Sequence, residues 1–311
     1  MKIITSWQDL KEVKENIVLN IGNFDGIHIG HQSLINKGLI IARENKEKLA
    51  VLTFNPHPQH FFKPNDFKRI TTKAEMKTLL IDQGVDIWFD LPFNFKIAKL
   101  SPEDFLRNIT QDLTITNIVV GFNFKFGYKA SGDVDFLQSF LYERNIGLVI
   151  HEPVMRNGTK VSSTLIRKLI EDGKIEKANE LMCRPYMLSG DVVHGMGRGT
   201  NLGFPTANLE IPDLKLLPKK GVYAGFTDNG YIAAINIGNK PTFLEDLQTV
   251  EVHLIDFPNR NLYGKNITVY LTNFLREEKK FDTVEMLKDQ VKQDIVKIKV
   301  LNPVQLFTTN M

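Results

Sequence analysis

The sequence predicts two domains of different class: a doubly wound α/β domain with a mostly parallel sheet over residues 1–183, and a small antiparallel β-barrel domain with a closing helix over 184–311. Three observations predict this. Apolar strand-like runs alternate with amphipathic helical ones through the first half, the pattern of a parallel sheet covered by helices on both faces. The alternation stops after Cys183-Arg184-Pro185-Tyr186, and short strand-like pieces separated by turn residues follow, as in a small barrel. A length of 311 residues accommodates two domains.

In the first half, strands are expected at 17–21, 49–54, 85–91, 117–121 and 147–151, and helices at 31–44, 72–83, 101–113, 133–144 and 163–172. Local signals support the helices. Thr72 and Glu75 have capping-box spacing, Ser101-Pro102 sets a cap before a first-turn proline, and Gly173 is a terminator. After a helical stretch at 175–182, strands are expected at 187–194, 222–227, 231–237, 249–257 and 266–274, with the closing helix at 283–300. Asp228-Asn229-Gly230 predicts a hairpin with a type I′ turn.

Open parallel sheets bind ligands at the carboxyl ends of their strands, near the point where the winding reverses. The unusual residues of the first half gather there. Gly22-Asn23-Phe24-Asp25-Gly26-Ile27-His28-Ile29-Gly30-His31 is a glycine-bearing turn that enters a helix, and a helix start with unpartnered N–H groups receives phosphate. His28 and His31 face the same way if the helix begins near Gly30. Imidazoles beside phosphates stabilise charge that develops during transfer. The same residues also fit a plain turn with one histidine capping the helix. Phe54-Asn55-Pro56-His57-Pro58 fits a site or a rigid turn. Gly121-Phe122-Asn123-Phe124-Lys125-Phe126-Gly127 fits a site loop or one whose aromatics pack inward. Val161-Ser162-Ser163-Thr164-Leu165-Ile166-Arg167 opens a further helix, where serine oxygens cap the helix or meet an anion.

In the second half, His194-Gly195-Met196-Gly197-Arg198-Gly199 either brings backbone donors close to phosphates or forms a hairpin tip; it lacks the Gly-Lys-Ser/Thr ending of a Walker loop. The Thr206 hydroxyl and Asn208 carbonyl share a face if their segment is extended, and offer hard oxygen ligands; a polar strand edge fits equally. In Val250-Glu251-Val252-His253-Leu254, alternation sets Glu251 and His253 opposite the aliphatic residues, which by itself describes an exposed strand glutamate.

Composition narrows the function classes. With 42% hydrophobic and 24% charged residues, the chain has a sizeable core. Its 39 basic and 36 acidic residues leave a net charge of +3, too weak for a nucleic-acid stripe, so no nucleic-acid partner is expected. Cys183 stands alone, which excludes an internal disulfide and a cysteine metal cluster. With no basic-then-apolar leader, this predicts the cytoplasm. No apolar run approaches the roughly 20 residues of a membrane helix, so no membrane partner is expected. A zinc ion at the two histidines lacks a nearby third ligand.

Taken together, these segments resemble the bacterial bifunctional riboflavin kinase/FMN adenylyltransferase family, also called FAD synthetase. G-x-F-D-G followed by H-x-G-H at 22–31, F-N-P-H-P at 54–58, V-V-G-x-[DN]-F-x-F-G at 119–127 and S-S-T-x-I-R at 162–167 are similar to its nucleotidyltransferase-type domain. V-V-H-G-x-x-R-G-x-x-L-G-F-P-T-A-N-L at 192–209, G-V-Y-A at 221–224, N-I-G-x-x-P-T-F at 236–243, and V-E-x-H-L-x-D-F then L-Y-G across 250–264 are similar to its kinase domain.

The resemblance implies ATP-dependent phosphorylation of riboflavin to FMN by the second domain and adenylylation of FMN to FAD, with release of pyrophosphate, by the first. It assigns Gly22, Phe24, Asp25, His28, Gly30, His31, Ser162, Ser163, Thr164 and Arg167 to ATP and its phosphates, with His28 and His31 catalytic. It places Asn123 and Arg276 near flavin, and Gly195, Gly197 and Arg198 near the phosphates of the kinase site. Thr206 and Asn208 become ligands of Mg2+ and phosphate, and Glu251 the base for the ribityl hydroxyl. Implied partners are riboflavin, FMN and ATP. Asn123 stands where Asp is frequent, and Leu165 where Arg or Thr is frequent. One rival reading is therefore a riboflavin kinase whose adenylyltransferase half is inactive. Another is a nucleotide-sensing domain joined to a barrel that binds RNA or protein, against which the weak net charge speaks.

Overall fold

Why the first half forms a parallel sheet is visible in its central strands, where nearly every residue is apolar because helices cover both faces. The structure is a computed structural model that describes residues 1–195, 203–239, 248–258 and 261–304. The chain divides into two units, Met1–Ser162 and Ser163–Met311.

The first unit runs β1 (Lys2–Ile4), β2 (Asn16–Ile21), α1 (Ile29–Glu44), β3 (Lys48–Asn55), α2 (Pro58–Phe62), α3 (Lys73–Asp82), β4 (Ile87–Pro92), α4 (Phe95–Ala98), α5 (Pro102–Thr110), β5 (Thr114–Gly121), α6 (Val134–Tyr142) and β6 (Gly147–His151), then a small hairpin of β7 (Met155–Arg156) and β8 (Thr159–Lys160). The sheet order is β1-β4-β3-β2-β5-β6, all parallel. From β2 the chain winds outward through β3 and β4, then returns to lay β5 and β6 on the other side. The switch point therefore lies between β2 and β5. The five expected strands are β2 to β6; β1 is a three-residue edge strand, too short for any periodicity to announce.

Ile17, Val18, Leu19, Leu49, Val51 and Leu52 are fully buried. Among them sits Asn20, also fully buried, whose Nδ2 donates to the Leu34 carbonyl of α1 at 2.8 Å. Gly38 faces it across the helix, and a side chain there would run into the Asn20 carboxamide. Gly38→Ala is accordingly expected to destabilise the protein by about 1–3 kcal/mol, read as a lowered melting temperature of roughly 2–4 °C per kcal/mol. The predicted capping box is present, with Thr72 and Glu75 exchanging side-chain and backbone bonds at 3.2 and 2.9 Å.

The second unit comprises α7 (Ser163–Glu171), α8 (Ile175–Met182), β9 (Tyr186–Val193), β10 (Ala207–Glu210), β11 (Gly221–Thr227), β12 (Ile232–Asn239), β13 (Gln248–Leu254), β14 (Asn266–Arg276) and α9 (Val284–Leu301). Its six strands close into an antiparallel barrel in the order β10-β13-β12-β11-β14-β9, with β9 pairing back to β10. The helices α7 and α8 belong to this unit for a local reason. Buried Asn179 of α8 donates to the Leu271 carbonyl at 2.8 Å and accepts the Tyr186 N–H at 2.7 Å, tying the helix to two barrel strands. Tyr223 donates to the Lys219 carbonyl at 2.5 Å; burial first, then Glu176, pushes its phenol above the usual value and keeps it a neutral donor. α9 lays Ile298 against Ala224 and Ile255.

One expected detail is corrected. The 228–230 loop is not a type I′ turn, because only Gly230 takes a positive φ, of 78°. Gly230 N–H donates to the Thr227 carbonyl at 2.8 Å, and Thr227 N–H to the Tyr231 carbonyl at 2.9 Å. This is a three-residue loop ending in a glycine bulge, an alternative that serves the strand twist equally well.

Candidate functional site

The turn between β2 and α1 is held by its own backbone. Phe24, Gly26 and Ile27 all have positive φ, at 51°, 87° and 32°, which curls the chain so that α1 starts beside the carboxyl end of β2. Asp25 is buried and acts as the clamp: its carboxylate accepts from the N–H groups of Ile70 and Thr71 and from the Thr71 hydroxyl, each at 3.1 Å. Gly26 N–H donates to the same hydroxyl oxygen at 3.2 Å. The geometry gives this carboxylate work in shaping the turn. Asp25→Ala withdraws the shared acceptor of two buried N–H groups and is expected to cost about 1–3 kcal/mol in a thermal melt.

His28 caps α1, its Nδ1 accepting the His31 N–H at 3.3 Å. In the neutral ring this places the proton on Nε2. The His28 and His31 rings stack at 3.7 Å with 16° between their planes, and Phe24 meets His31 edge-on at 5.2 Å. The plain capping reading and the shared-face reading are thus both realised by the same ring. Gly30 permits it, since a side chain there would approach His28 Nδ1 to 3.2 Å. Gly22, which ties back through its N–H to the Leu52 carbonyl at 3.2 Å, has the Phe24 ring beside it in the same way.

β2 pairs with β5 through Leu19 against Ile118 and Asn20 against Val119, so the loops that leave them are neighbours at the switch point. Asn123 is exposed in the turn after β5, where Phe124 N–H donates to the Gly121 carbonyl at 2.9 Å. His57 is buried, caps α2 through the Gln59 N–H at 3.1 Å, and stacks on Phe67 at 4.5 Å. Ser162 ends the first unit, while Ser163, Thr164 and Arg167 open α7 in the second.

In the barrel, strand register gathers residues that the sequence keeps far apart. Asn208 of β10 lies directly opposite Glu251 of β13, and Glu251 directly opposite Asn236 of β12. Directly opposed residues share a face about 4.5–5.5 Å apart. Val250 and Val252 point into the barrel, so the Asn208–Glu251–Asn236 row occupies its outer face, half-buried. Asn236 was not foreseen; alternation on β12 hinted at its outward side, and only the register places it next to Glu251.

Thr206 immediately precedes β10. His253 Nδ1 bonds the Pro205 carbonyl at 2.9 Å and holds that segment to β13. Gly195 lies so close to the Asn208 carboxamide that a side chain there would collide with it. Gly197 and Arg198 lie outside the described residues. Arg276 pairs with α9: its Nε and Nη2 donate to one oxygen of buried Asp294 at 2.9 and 2.7 Å, fastening α9 to β14. Among the described residues, no group of three or more His, Cys, Asp or Glu is placed to hold a metal ion. Thr206 and Asn208 carry hard oxygens of the kind that suit Mg2+.

In each half polar groups gather at one place, the helix start beside the carboxyl end of β2 and the carboxylate set between two carboxamides, and with the families that follow they mark a transferase. Comparison with known proteins gives the family. The FAD synthetase family model matches residues 10–165 and the riboflavin kinase model residues 182–301. A Buchnera aphidicola bifunctional riboflavin kinase/FMN adenylyltransferase is 36% identical over 96% of this chain and 98% of its own length. The Bacillus subtilis protein of the same name is 36% identical over 92% of each chain. A solved Streptococcus pneumoniae structure, called a macrolide-efflux protein, superposes with a TM-score of 0.87 at 32% identity, over 96% of this chain and 98% of that one. The efflux name speaks for that protein alone. In this chain, no helix among the described residues is long and apolar enough to cross a membrane. The chain belongs to the bifunctional riboflavin kinase/FMN adenylyltransferase family and carries both of its domains.

Proposed function

We propose that the barrel, functionally residues 184–311, phosphorylates riboflavin to FMN, and that the α/β half, residues 1–183, joins FMN to the AMP part of ATP to give FAD. The observation that carries this reading is the register that sets Glu251 beside Asn208 on one outer face of the barrel. A carboxylate there takes the proton from the ribityl hydroxyl as its oxygen bonds to the γ-phosphorus of ATP, and ADP leaves. Thr206 and Asn208 would hold Mg2+, which supplies charge neutralisation on the phosphates. The resemblance assigns Gly195, Gly197 and Arg198 to the phosphates of the same ATP.

In the α/β half no protein nucleophile is required. The FMN phosphate attacks the α-phosphorus of a second ATP in line, and pyrophosphate departs. His28 and His31 donate to the phosphate oxygens and the first turn of α1 adds backbone donors; the resemblance assigns Ser162, Ser163, Thr164 and Arg167 to ATP as well. Asn123 belongs to the flavin side. The buried Arg276–Asp294 pair supports the closing helix at the edge of the riboflavin site. The single cysteine and the use of ATP fit a cytoplasmic enzyme.

The test is to incubate the purified protein with riboflavin, ATP and Mg2+ and separate the flavins over time. FMN followed by FAD is expected. FMN that accumulates without FAD leaves the kinase alone, and no conversion by folded protein overturns the enzyme reading. EDTA in excess of Mg2+ should stop both steps, and added Mg2+ should restore them.

A further inference from the structure

A serine–histidine pair takes no part in the mechanism above, yet it lies between the two sides of the α/β site. Ser33 of α1 and His151, which closes β6, are 118 residues apart and share a hydrogen bond of 2.8 Å between Oγ and Nε2. Ser33 stands two residues beyond His31 on the same helix. The backbone of His151 makes a second tie: its carbonyl accepts the Phe122 N–H at 2.9 Å, and Phe122 immediately precedes Asn123. The Lys160 ammonium lies 4.2 Å over the Phe122 ring and steadies that turn from the other side. One residue therefore grips, by its ring, the helix that starts with His28 and His31 and, by its carbonyl, the turn that carries Asn123.

We propose that His151, acting through Ser33, is a positioning residue for adenylyl transfer, setting the spacing between the phosphate-holding helix start and the turn on the flavin side. This rests on the adenylyltransferase reading of the α/β half. In-line displacement requires the attacking oxygen and the phosphorus to stand about 3–3.5 Å apart, and a misplacement of about 1 Å costs on the order of 100-fold in rate. Helix α1 and the 122–125 turn leave neighbouring strands, so a small rotation of α1 changes that spacing directly. A half-buried cross-link at the helix's first turns opposes such rotation, beside the Asn20 tie to the Leu34 carbonyl, and it alone of the two also reaches the turn that carries Asn123.

The experiment uses the full chain and four variants, Ser33→Ala, His151→Ala, the double Ala variant, and His151→Gln, which retains a polar atom near the Nε2 position. Expected is a fall of about 10–100-fold in kcat for FMN adenylylation in each Ala variant, with KM for ATP and FMN within about twofold of wild type. The double variant should lose no more than either single one, and His151→Gln should recover most of the rate. Riboflavin phosphorylation should be unchanged in all four. Wild-type kcat in the Ala variants overturns the proposal, as do losses that multiply in the double variant or equal losses in both activities. His31→Ala is run beside them. Its inactivity with a wild-type His151→Ala overturns the positioning role alone, while wild-type rate in His31→Ala overturns the reading on which that role rests.

Discussion

Glu251→Ala is expected to lower riboflavin phosphorylation by about 10²–10⁴-fold, the range a positioned general base contributes, while supplied FMN is still converted to FAD at the wild-type rate. The loss should fall on kcat with little change in KM for riboflavin, because the carboxylate acts on a proton that moves only in the transition state. Stability should hardly change. Glu251 lies on the outer face of β13, and its neighbours Val250 and Val252, which do build the core, are untouched. Chromatography of the flavins checks both activities in one sample. Equal loss of the two at an unchanged melting temperature would sink the assignment of the base.

The converse holds for the other half. His28→Ala combined with His31→Ala should cut FAD formation by at least about 10²–10³-fold, the cost of removing one preorganised donor, and leave riboflavin phosphorylation intact so that FMN accumulates. Part of any instability has a separate origin, since the His28 ring also caps α1 and loss of a cap costs about 1 kcal/mol. His28→Asn separates the two effects. It restores a cap acceptor but removes the Nε2 donor, so it should regain stability and remain impaired in FAD formation. FAD synthesis at wild-type rate in the double Ala variant would show the α/β reading to be wrong.

Much of this was legible without coordinates because each domain announces itself locally. The central strands are unbroken aliphatic runs that require cover on both faces. Caps such as Thr72 and Ser101 mark their helices within a residue or two, because a cap is a contact between near neighbours. Turn type was less legible. Asp228-Asn229-Gly230 has the composition of a type I′ turn, but one extra residue in the loop lets glycine alone take the left-handed angle. The Arg276 pairing was open for the same kind of reason: its partner, Asp294, lies on a helix 18 residues away.

What the sequence determined by itself was the pair of fold classes and the longer strands and helices, though not short β1, β7, β8, β10, α2 and α4, since periodicity and capping are short-range properties that need several residues to show. Tertiary structure alone decided which distant residues meet. Barrel register set Asn236 beside Glu251, sheet order brought the turns after β2 and β5 together, burial turned Asp25 into a clamp, and Asn179 bound α8 to the barrel. Each of those depends on how strands pair or helices dock across tens of residues, and no local preference encodes a partner at that distance.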